Sequence, residues 1–518
     1  MTTEVLVEGL SQPGAFPHPV SRLEIIETHI STVILTGPFA YKIRKPVNLG
    51  FLDFSTLALR HQDCEDELRL NRRLAPELYL DVVTITGSPA NPRIGGDGPV
   101  IEYAVKMKQF APDQCLDRLI EQDRVAPQHL LQLAETLAHF HQHAARAAPD
   151  SEFGTDLSIH HDSRQNFLQI RGRVTDLALL SRLADVERLS EARHQALQEE
   201  FIQRKAEGWI RECHGDLHLG NLVLLDDRVV PFDCLEFSPP LRWIDTMSEV
   251  AFLIMDLIAR SHFPLAQTFL NHYLAYSGNY MGLSLLSYYQ AYRAMVRAKV
   301  SAIRTTQQAG TAEDTEELSH YLNLAARFLA PFPKPVIILL HGVSGSGKTW
   351  LAQQLSQTAP LIHIRSDVER KRLLGLEPNQ PTPDPADAYS SQRNRETYQR
   401  LMALSYAITD AGYPVIVDAT FLEASHRQAY QRLAAVADIE IRLLSVHAPE
   451  PVLRERIRQR RQQARDASEA TTGILDQQLS KQHELTAAEN RQALKVDTTG
   501  PLDLRSLCQQ LGLTPWHD

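Results

Sequence analysis

Short β-branched runs dominate residues 24–110. Thr32-Val33-Ile34-Leu35 and Tyr41-Lys42-Ile43 flank a Gly37-Pro38 turn, and residues 82–85 and 100–110 continue the pattern. Runs of this kind, punctuated by Gly and Pro, predict strands. A charged stretch at 57–74 interrupts them and predicts a helix. From 125 to 330 the apolar spacing is mostly helical, apart from a strand–turn–strand insertion at 222–232. Three prolines then fall within Pro331-Phe332-Pro333-Lys334-Pro335, which no helix can traverse, so an extended connector is expected. Val336-Ile337-Ile338-Leu339-Leu340 follows at once, an unbroken apolar run suited to a parallel strand buried on both faces. Strands at 414–418 and 439–446 alternate with helical spacing beyond it, which predicts a parallel α/β sheet. The patterning divides the chain into a domain at 1–330, a linker at 331–335 and a domain at 336–518. Within the first, a small mixed lobe at 20–110 precedes a helical lobe at 111–330.

Composition narrows the class. The 518 residues leave room for two or three domains, and 43% apolar with 22% charged residues describes a globular protein with sizeable cores. A formal net charge of −10 counts against general adhesion to nucleic acid or anionic membrane, while leaving room for a local basic patch. The five cysteines, Cys64, Cys115, Cys213, Cys234 and Cys508, are widely spaced and form no C-x-x-C pair. A disulfide framework or zinc knuckle is therefore not expected, and a reducing cytoplasm is. Met1-Thr2-Thr3-Glu4 opens without the basic and apolar regions of a secretory leader, and no apolar run reaches the roughly 18 residues of a membrane span.

The first chemistry lies in His214-Gly215-Asp216-Leu217-His218-Leu219-Gly220-Asn221. Phosphoryl transfer from ATP needs a group that orients the attacking hydroxyl and oxygens that hold Mg²⁺. Protein kinases supply these as H-R-D-x-x-x-x-N followed by D-F-G. Asp216 and Asn221 stand at that same five-residue offset, and Asp233 comes twelve residues after Asn221, behind the 222–232 insertion. Asp216 is the candidate catalytic group facing the acceptor, and Asn221 and Asp233 are the candidate metal holders. Other readings stay open: an H-x-D-x-H metal site from His214, Asp216 and His218, a metal pair from His139 and His143 on one helix face, or a kinase fold without activity.

The H-G-D-x-H-x-G-N pattern resembles the aminoglycoside phosphotransferase and choline kinase family, over residues 20–330. The resemblance implies that Lys42 holds the α- and β-phosphates of ATP, that Glu67 pairs with it, and that 105–110 is the adenine hinge. It also implies that Leu137-Ala138-His139-Phe140-His141 belongs to the helix preceding the catalytic loop. The chain departs from protein kinases in having no G-x-G-x-x-G, with only Gly37 nearby, and in reading Asp233-Cys234-Leu235 for D-F-G. No acidic pocket for a cationic sugar can be assigned, so antibiotic resistance does not follow.

The second chemistry is Gly342-Val343-Ser344-Gly345-Ser346-Gly347-Lys348-Thr349, a G-x-x-x-x-G-K-[ST] run placed between a buried strand and a helix. Its glycines let backbone N–H groups turn inward as an anion nest, and the helix N-terminus adds its dipole. Gly342, Ser344, Gly345, Ser346, Gly347, Lys348 and Thr349 are thus expected to hold ATP, Lys348 as point charge on the β- and γ-phosphates and Thr349 on Mg²⁺. Asp367, eighteen residues after Thr349, is suited to accept a proton from a substrate hydroxyl. Asp418 closes the apolar run Pro414-Val415-Ile416-Val417 and is either a metal-side carboxylate, acting through water, or a structural one. Arg454, Arg458, Arg461 and Arg465 follow at i, i+4, i+7 and i+11, one helix face, flanked by Arg456 and Arg460, with a helix end at Asp466-Ala467-Ser468. Six arginines against the single Glu455 within 451–465 favour an anionic target over a solvated face.

This assembly resembles the small P-loop kinases related to bacteriophage polynucleotide kinase, gluconate kinase and zeta-toxin kinases, over residues 336–515. The resemblance implies Asp367 as base, Arg370 on the acceptor phosphate or substrate anion, and the arginine helix as a lid on the γ-phosphate, with Arg454, Arg458 and Arg461 binding ATP. The expected architecture is mixed α/β and α+β: a bilobal kinase-like domain followed by a P-loop domain with a parallel sheet flanked by helices. The expected function is a bifunctional phosphotransferase, each half using ATP and Mg²⁺ on a hydroxyl-bearing small molecule or nucleotide. Two alternatives stand beside it: one catalytic half with the other a regulatory nucleotide sensor, or a kinase of nucleic-acid ends carried by the C-terminal half. No membrane partner is expected.

Overall fold

The computed structural model describes residues 3–50, 52–307, 312–331, 334–388, 390–463, 467–481 and 483–516. It forms two compact units, one of Met1–Leu133, Phe140–His161 and Phe201–Leu253, the other of Ala134–His139, Asp162–Glu200 and Ile254–Asp518.

The first unit is built on an antiparallel sheet of six strands: β1 (Glu24–Glu27), β2 (Ser31–Leu35), β3 (Phe39–Arg44), β4 (Tyr79–Ser88), β5 (Asn91–Ile94) and β6 (Val100–Lys108), in the order β1-β2-β3-β6-β4-β5. Ile34, Tyr41, Ile43, Ile85 and Ala104 pack on one face against Leu6, Leu10 and Phe16. The charged stretch forms the helix Leu57–Asn71, N-capped by Thr56, whose hydroxyl accepts from the Leu59 N–H. Its charge pattern is unusual because the stripe it buries is polar. Arg60, Asp63, Glu67 and Asn71 recur at helical spacing and are all buried. Two further pairs bracket the H-G-D segment. β7 (Ile210–Glu212) pairs with β10 (Trp243–Asp245), and β8 (Leu222–Leu225) forms a hairpin with β9 (Arg228–Pro231). Asp226 and Asp227 turn that hairpin with φ of 47° and 61°, the two positive values a tight mirror-image turn demands. The hairpin is the insertion expected at 222–232; the β7–β10 pair carried too few residues to be legible.

The second unit holds a five-stranded sheet in which every pairing is parallel. Its strands are β11 (Val336–His341), β12 (Ile362–Arg365), β13 (Val415–Asp418), β14 (Glu440–His447) and β15 (Leu494–Asp497), ordered β12-β13-β11-β14-β15. Five of the six residues of β11 are buried, as the unbroken apolar run required. Ile338, Leu340, Ile416 and Leu444 from the sheet meet Leu351, Leu355 and Cys508 from flanking helices. The same unit contains the helices Phe263–Ser277, Leu283–Gln307 and Ala312–Leu329, from upstream of the prolines. Trp516 stacks on Phe263 at 4.9 Å between centroids, with the Arg327 guanidinium 3.4 Å from its ring centre. Of the linker, Phe332 and Pro333 lie outside the described residues. No described helix is long and apolar enough to cross a membrane.

Behind β13, Arg427 is 1% exposed and donates to both oxygens of Glu489, at 2.8 and 3.2 Å, and to the carbonyls of Phe421 and Leu422. Removing one partner of such a pair strands the other charge in the interior. Arg427→Leu is expected to lower stability to urea by about 3 kcal/mol; a loss below about 1 kcal/mol would show that Glu489 finds water or another donor.

Candidate functional site

In the first unit, Cys213 to Asn221 link β7 to β8 and fold back on themselves. Gly215 takes φ of 89°, and a Cβ there would meet the Leu241 carbonyl oxygen at 2.8 Å, so only glycine fits. The Gly215 N–H donates to Glu249 Oε2 at 2.7 Å, and Glu249 Oε1 lies 3.0 Å from His141 Nε2. Burial would raise the Glu249 carboxyl, but the hydrogen bond and charge of His141, with His214 and the Gly215 N–H, bring it down to about 2. His214 Nε2 lies 2.9 Å from the Phe232 carbonyl, which can only accept, so that nitrogen carries the proton and Nδ1 receives the Asp216 N–H at 3.4 Å. Burial lowers the His214 pKa, against the pull of Glu249 and Asp216. Asn221 Nδ2 donates to the Asp216 carboxylate at 2.9 Å and to its carbonyl at 3.0 Å.

Asp233 follows the hairpin with φ of 61°, and its N–H donates to the Tyr79 hydroxyl at 3.0 Å. This turn aims its carboxylate at Lys42 Nζ, 2.7 Å away, while Glu67 takes the same ammonium at 2.8 Å. Burial alone would lower the Lys42 pKa, but Asp233 and Glu67 raise it well above the usual value. Lys42 in turn outweighs burial at Asp233 and holds that carboxyl low. Two partners of this network were missed. Arg44, two residues on from Lys42 and so on the same strand face, donates to Glu67 at 2.6 Å, Asp63 at 2.5 Å, the Ser31 hydroxyl at 2.8 Å, and Glu236. Strand alternation was the available signal. Burial pushes Glu236 up to about 7, although Arg44 and Lys42 draw it down.

Gly37 is not beside Lys42 in the β2–β3 register, since that turn lies at the Phe39 end of β3. It lies in the β2–β3 turn, where its N–H donates to Gln109 Oε1 at 2.9 Å, at the expected hinge. The β1–β2 turn, Thr28-His29-Ile30, reaches the Lys42 end of the sheet instead, and Arg44 anchors it through Ser31. Among the described residues, His214, Asp216 and His218 do not gather three ligand atoms, nor do His139 and His143 belong to such a group. The one cluster that does, His141, Cys213 and Glu249, contains the His141–Glu249 hydrogen bond just described.

In the second unit, the loop after β11 has the curvature its glycines promised. Gly345 and Gly347 take φ of 83° and 94°; a Cβ on Gly345 would meet the Leu453 carbonyl at 2.7 Å, and one on Gly347 would meet Thr498 Oγ1 at 2.9 Å. Lys348 is buried, and its Nζ donates to the carbonyls of Gly342 and Val343, each at 2.9 Å. Burial brings its pKa down to about 8, with Arg460 adding to the effect against Asp418 and Asp367. The Thr349 hydroxyl donates to Asp418 Oδ2 at 2.6 Å, and His363 Nε2 lies 3.3 Å from that same oxygen. Burial would raise the Asp418 carboxyl, but the His363 hydrogen bond and the charges of His363, Arg365 and Lys348 hold it far below its usual range. Asp367 lies in the first turn of the helix Ser366–Leu373, directly after β12, and receives Arg370 Nη1 at 2.7 Å. The buried Ser346 hydroxyl has no hydrogen-bond partner among the described residues.

The arginine helix, Glu450–Gln463, is oriented by buried Leu453 and Ile457. Arg454 pairs with Glu450 at 2.7 Å and Asp476 at 2.6 Å; Arg458 is 64% exposed, 3.5 Å from Glu455. The arginine that reaches the glycine loop is Arg456, donating to Gly345 O at 3.3 Å, Thr498 Oγ1 at 2.8 Å and Thr498 O at 2.9 Å. Counting helical turns from the apolar anchors would have separated these faces better than counting from the arginines themselves. The Arg461 side chain, and Arg465 and Asp466 entirely, lie outside the described residues. Thr498, which also donates to Ser346 O at 2.7 Å, and Gln478, whose Oε1 accepts the Ser344 N–H at 2.8 Å, had no sequence signal.

Residues 51–283 match the model of the phosphotransferase enzyme family, and 337–485 match that of an AAA domain. With the sheet topology, these matches give a kinase-like N-terminal domain and a C-terminal P-loop domain with a parallel sheet. An uncharacterized protein of Mycobacterium tuberculosis is 29% identical over 489 residues, 93% of this chain and 94% of its own. A choline/ethanolamine kinase family protein from Mesorhizobium loti aligns with 63% of this chain and 94% of its own, at 14% identity and TM-score 0.40. The APS kinase of Mycobacterium tuberculosis aligns with 35% of this chain and 99% of its own, at 19% identity and TM-score 0.27.

Glu249 offers a check on the loop geometry. Its folded pKa of about 2 lies below the ordinary carboxylate value, so its contribution is complete above about pH 4.5 and lost as pH falls through 2. Glu249→Gln should therefore lower stability at neutral pH and flatten the acid limb of a pH–stability curve; an unchanged limb would mean that His141 and Gly215 do not hold the carboxylate.

Proposed function

We propose that this chain is an ATP-dependent bifunctional phosphotransferase, each half transferring the γ-phosphoryl group of Mg-ATP to a hydroxyl acceptor. The observation that carries the reading is the meeting, in each half, of a largely enclosed lysine with oxygens suited to a divalent cation. Lys42 meets Asp233 across 191 positions of sequence, and Thr349 meets Asp418 across 69, beside Lys348. The residues fit the groups they would hold. Lys348 is a buried cation bonded to carbonyls, an arrangement that calls for an anion. The loop around it leaves no room for a Cβ on Gly345 or Gly347, and the buried Ser346 hydroxyl stands unpaired there. In the first unit, Asp63, Glu67, Asp233 and Glu236 outnumber Lys42 and Arg44, an excess of negative charge that a divalent cation relieves.

In the first unit Lys42 would hold the α- and β-phosphates, with Asn221 and Asp233 on the metal. Asp216 would orient the acceptor hydroxyl and take its proton as the oxygen–phosphorus bond forms and the bond to the β,γ-bridging oxygen breaks. In the second, Gly342 to Lys348 would cradle the phosphates, Thr349 and Asp418 would stand on the metal side, and Asp367 would take the acceptor proton. Magnesium, when bound, neutralises charge on the phosphoryl oxygens. Arg370 and Asp367 bind each other as they stand, so an anionic acceptor that claims Arg370 would free the carboxylate to act as base. Arg456 and Arg460 are better placed than Arg454 and Arg458 to act on the glycine loop and Lys348. The domain limits 1–330 and 336–518 remain our proposal for the two modules.

The test is to incubate wild type, Asp216→Ala and Lys348→Ala with γ-labelled ATP and a pool of cell-extract metabolites and RNA. Two labelled products, each vanishing with a different variant, are expected. Label that depends on only one of them makes the other half a nucleotide sensor, label on RNA ends points to a nucleic-acid kinase, and no label and no ATP hydrolysis from any version rejects the enzyme.

Lys348 supplies a pH signature. Its pKa of about 8 lies below the unfolded value of about 10.4, so the folded loop binds fewer protons than the unfolded chain between those limits. Triphosphate would draw the proton back. Calorimetry at pH 8 in buffers of different ionisation heat should show proton uptake on binding, absent in Lys348→Arg; equal heats for both proteins would contradict it.

A further inference from the structure

The helix Phe263–Ser277 carries side chains that neither phosphate site uses. β12 is an edge strand, and an edge leaves backbone donors and acceptors without a strand partner. Asn271 takes the place of that partner. Its Nδ2 donates to Leu361 O at 3.1 Å, and its Oδ1 accepts the His363 N–H at 2.7 Å, the two-point pairing a neighbouring strand would make. His363 is buried, and its imidazole lies 3.3 Å from the Asp418 oxygen that receives the Thr349 hydroxyl. An unbroken line of contacts therefore runs from Asn271 through His363 and Asp418 to Thr349.

The end of the same helix makes a second attachment. Arg372 donates to the carbonyls of Ala275 and, at 3.3 Å, Tyr276, the last turn of the helix. Gly278 ends it with φ of 70°, and a Cβ there would come within 2.8 Å of the Arg372 guanidinium. Tyr280 bonds Glu369, a fully buried carboxylate that also holds Arg372 at 3.3 Å and Arg400 at 2.5 Å. Glu369 and Arg372 belong to Ser366–Leu373, the helix that presents Asp367 and Arg370.

We propose that Asn271 is a positioning residue for the P-loop site. By pairing with β12 it sets His363 against Asp418 and so fixes the Asp418–Thr349 pair on the metal side, while Arg372 and Glu369 hold the acceptor-side helix on residues 275–280. The P-loop site thereby depends on side chains upstream of the proline-rich stretch, within the span matched by the phosphotransferase family. This rests on reading that site as one for Mg-nucleotide.

The experiment uses the full-length chain and a fluorescent ATP analogue, titrated with Mg²⁺ and, separately, in EDTA. The signal of interest is the binding lost in Lys348→Ala. Asn271→Ala is expected to raise the Mg²⁺ concentration for half-maximal binding about tenfold, the scale seen when outer partners of metal-side groups are removed, and to leave binding in EDTA unchanged. Thr268→Ala, on the same helix as Asn271, removes the 3.1 Å hydrogen bond from Gln357 of the helix Lys348–Thr358; it is the control for loosened packing and should leave the Mg²⁺ dependence as it was. The proposal is overturned if Asn271→Ala keeps the wild-type Mg²⁺ dependence, loses binding equally with and without Mg²⁺, or is matched by Thr268→Ala. If Lys348→Ala binds like wild type, the P-loop reading itself falls, and the positioning role with it.

Discussion

A lysine charge taken out of water has to be answered, and the two units answer it in opposite ways. Lys42 is clamped between Glu67 and Asp233, and the carboxylates around it and Arg44 outnumber the cations. Lys348 donates to carbonyls, and its burial brings its pKa down to about 8. The first arrangement is short of positive charge and the second short of negative. Under the proposed function, a metal-bound triphosphate, which carries both signs, would complete both of these different sites.

The electrostatics depend on backbone conformations that ordinary residues resist. Asp233 reaches Lys42 from a left-handed turn, and Gly215 can lie against Leu241 and donate to Glu249 only because it lacks a side chain. Glu249 then ties this loop to His141, so the H-G-D segment is held by a buried hydrogen bond as well as by packing. The polar stripe of Leu57–Asn71 serves the same end. Glu67 and Asp63 hold Lys42 and Arg44, and Asn71 accepts the Cys234 N–H next to Asp233.

In the second unit the helix Phe263–Ser277 finishes the edge of the parallel sheet, and the helix bearing Asp367 hangs from its last turn. Catalytic families are usually bounded by their motifs, yet here the compact unit runs across the proline-rich stretch. Trp516, near the other end of the chain, stacks on Phe263 and lies under Arg327, and so ties the same segments together.

Much of this was legible because local rules and chemistry coincide. An apolar run of five residues makes β11, the glycines that follow can only form a tight loop, and the spacing of Asp216, Asn221 and Asp233 is a chemical requirement written in order along the chain. What stayed hidden were partners chosen across space. Arg44 and Glu236 differ from other charged residues only in where the fold puts them, and Arg456 differs from Arg454 only through the burial of Leu453 and Ile457. Gly37 shows the reverse, a glycine near Lys42 in sequence that strand order sends to Gln109 at the other end of β3. The sequence by itself determined which groups are candidates for phosphate, because candidacy depends on residue type and near spacing. The tertiary structure decided how each charge is answered and what supports it, since hydrogen bonds such as those from Asn271 to β12 depend on distances no linear pattern encodes.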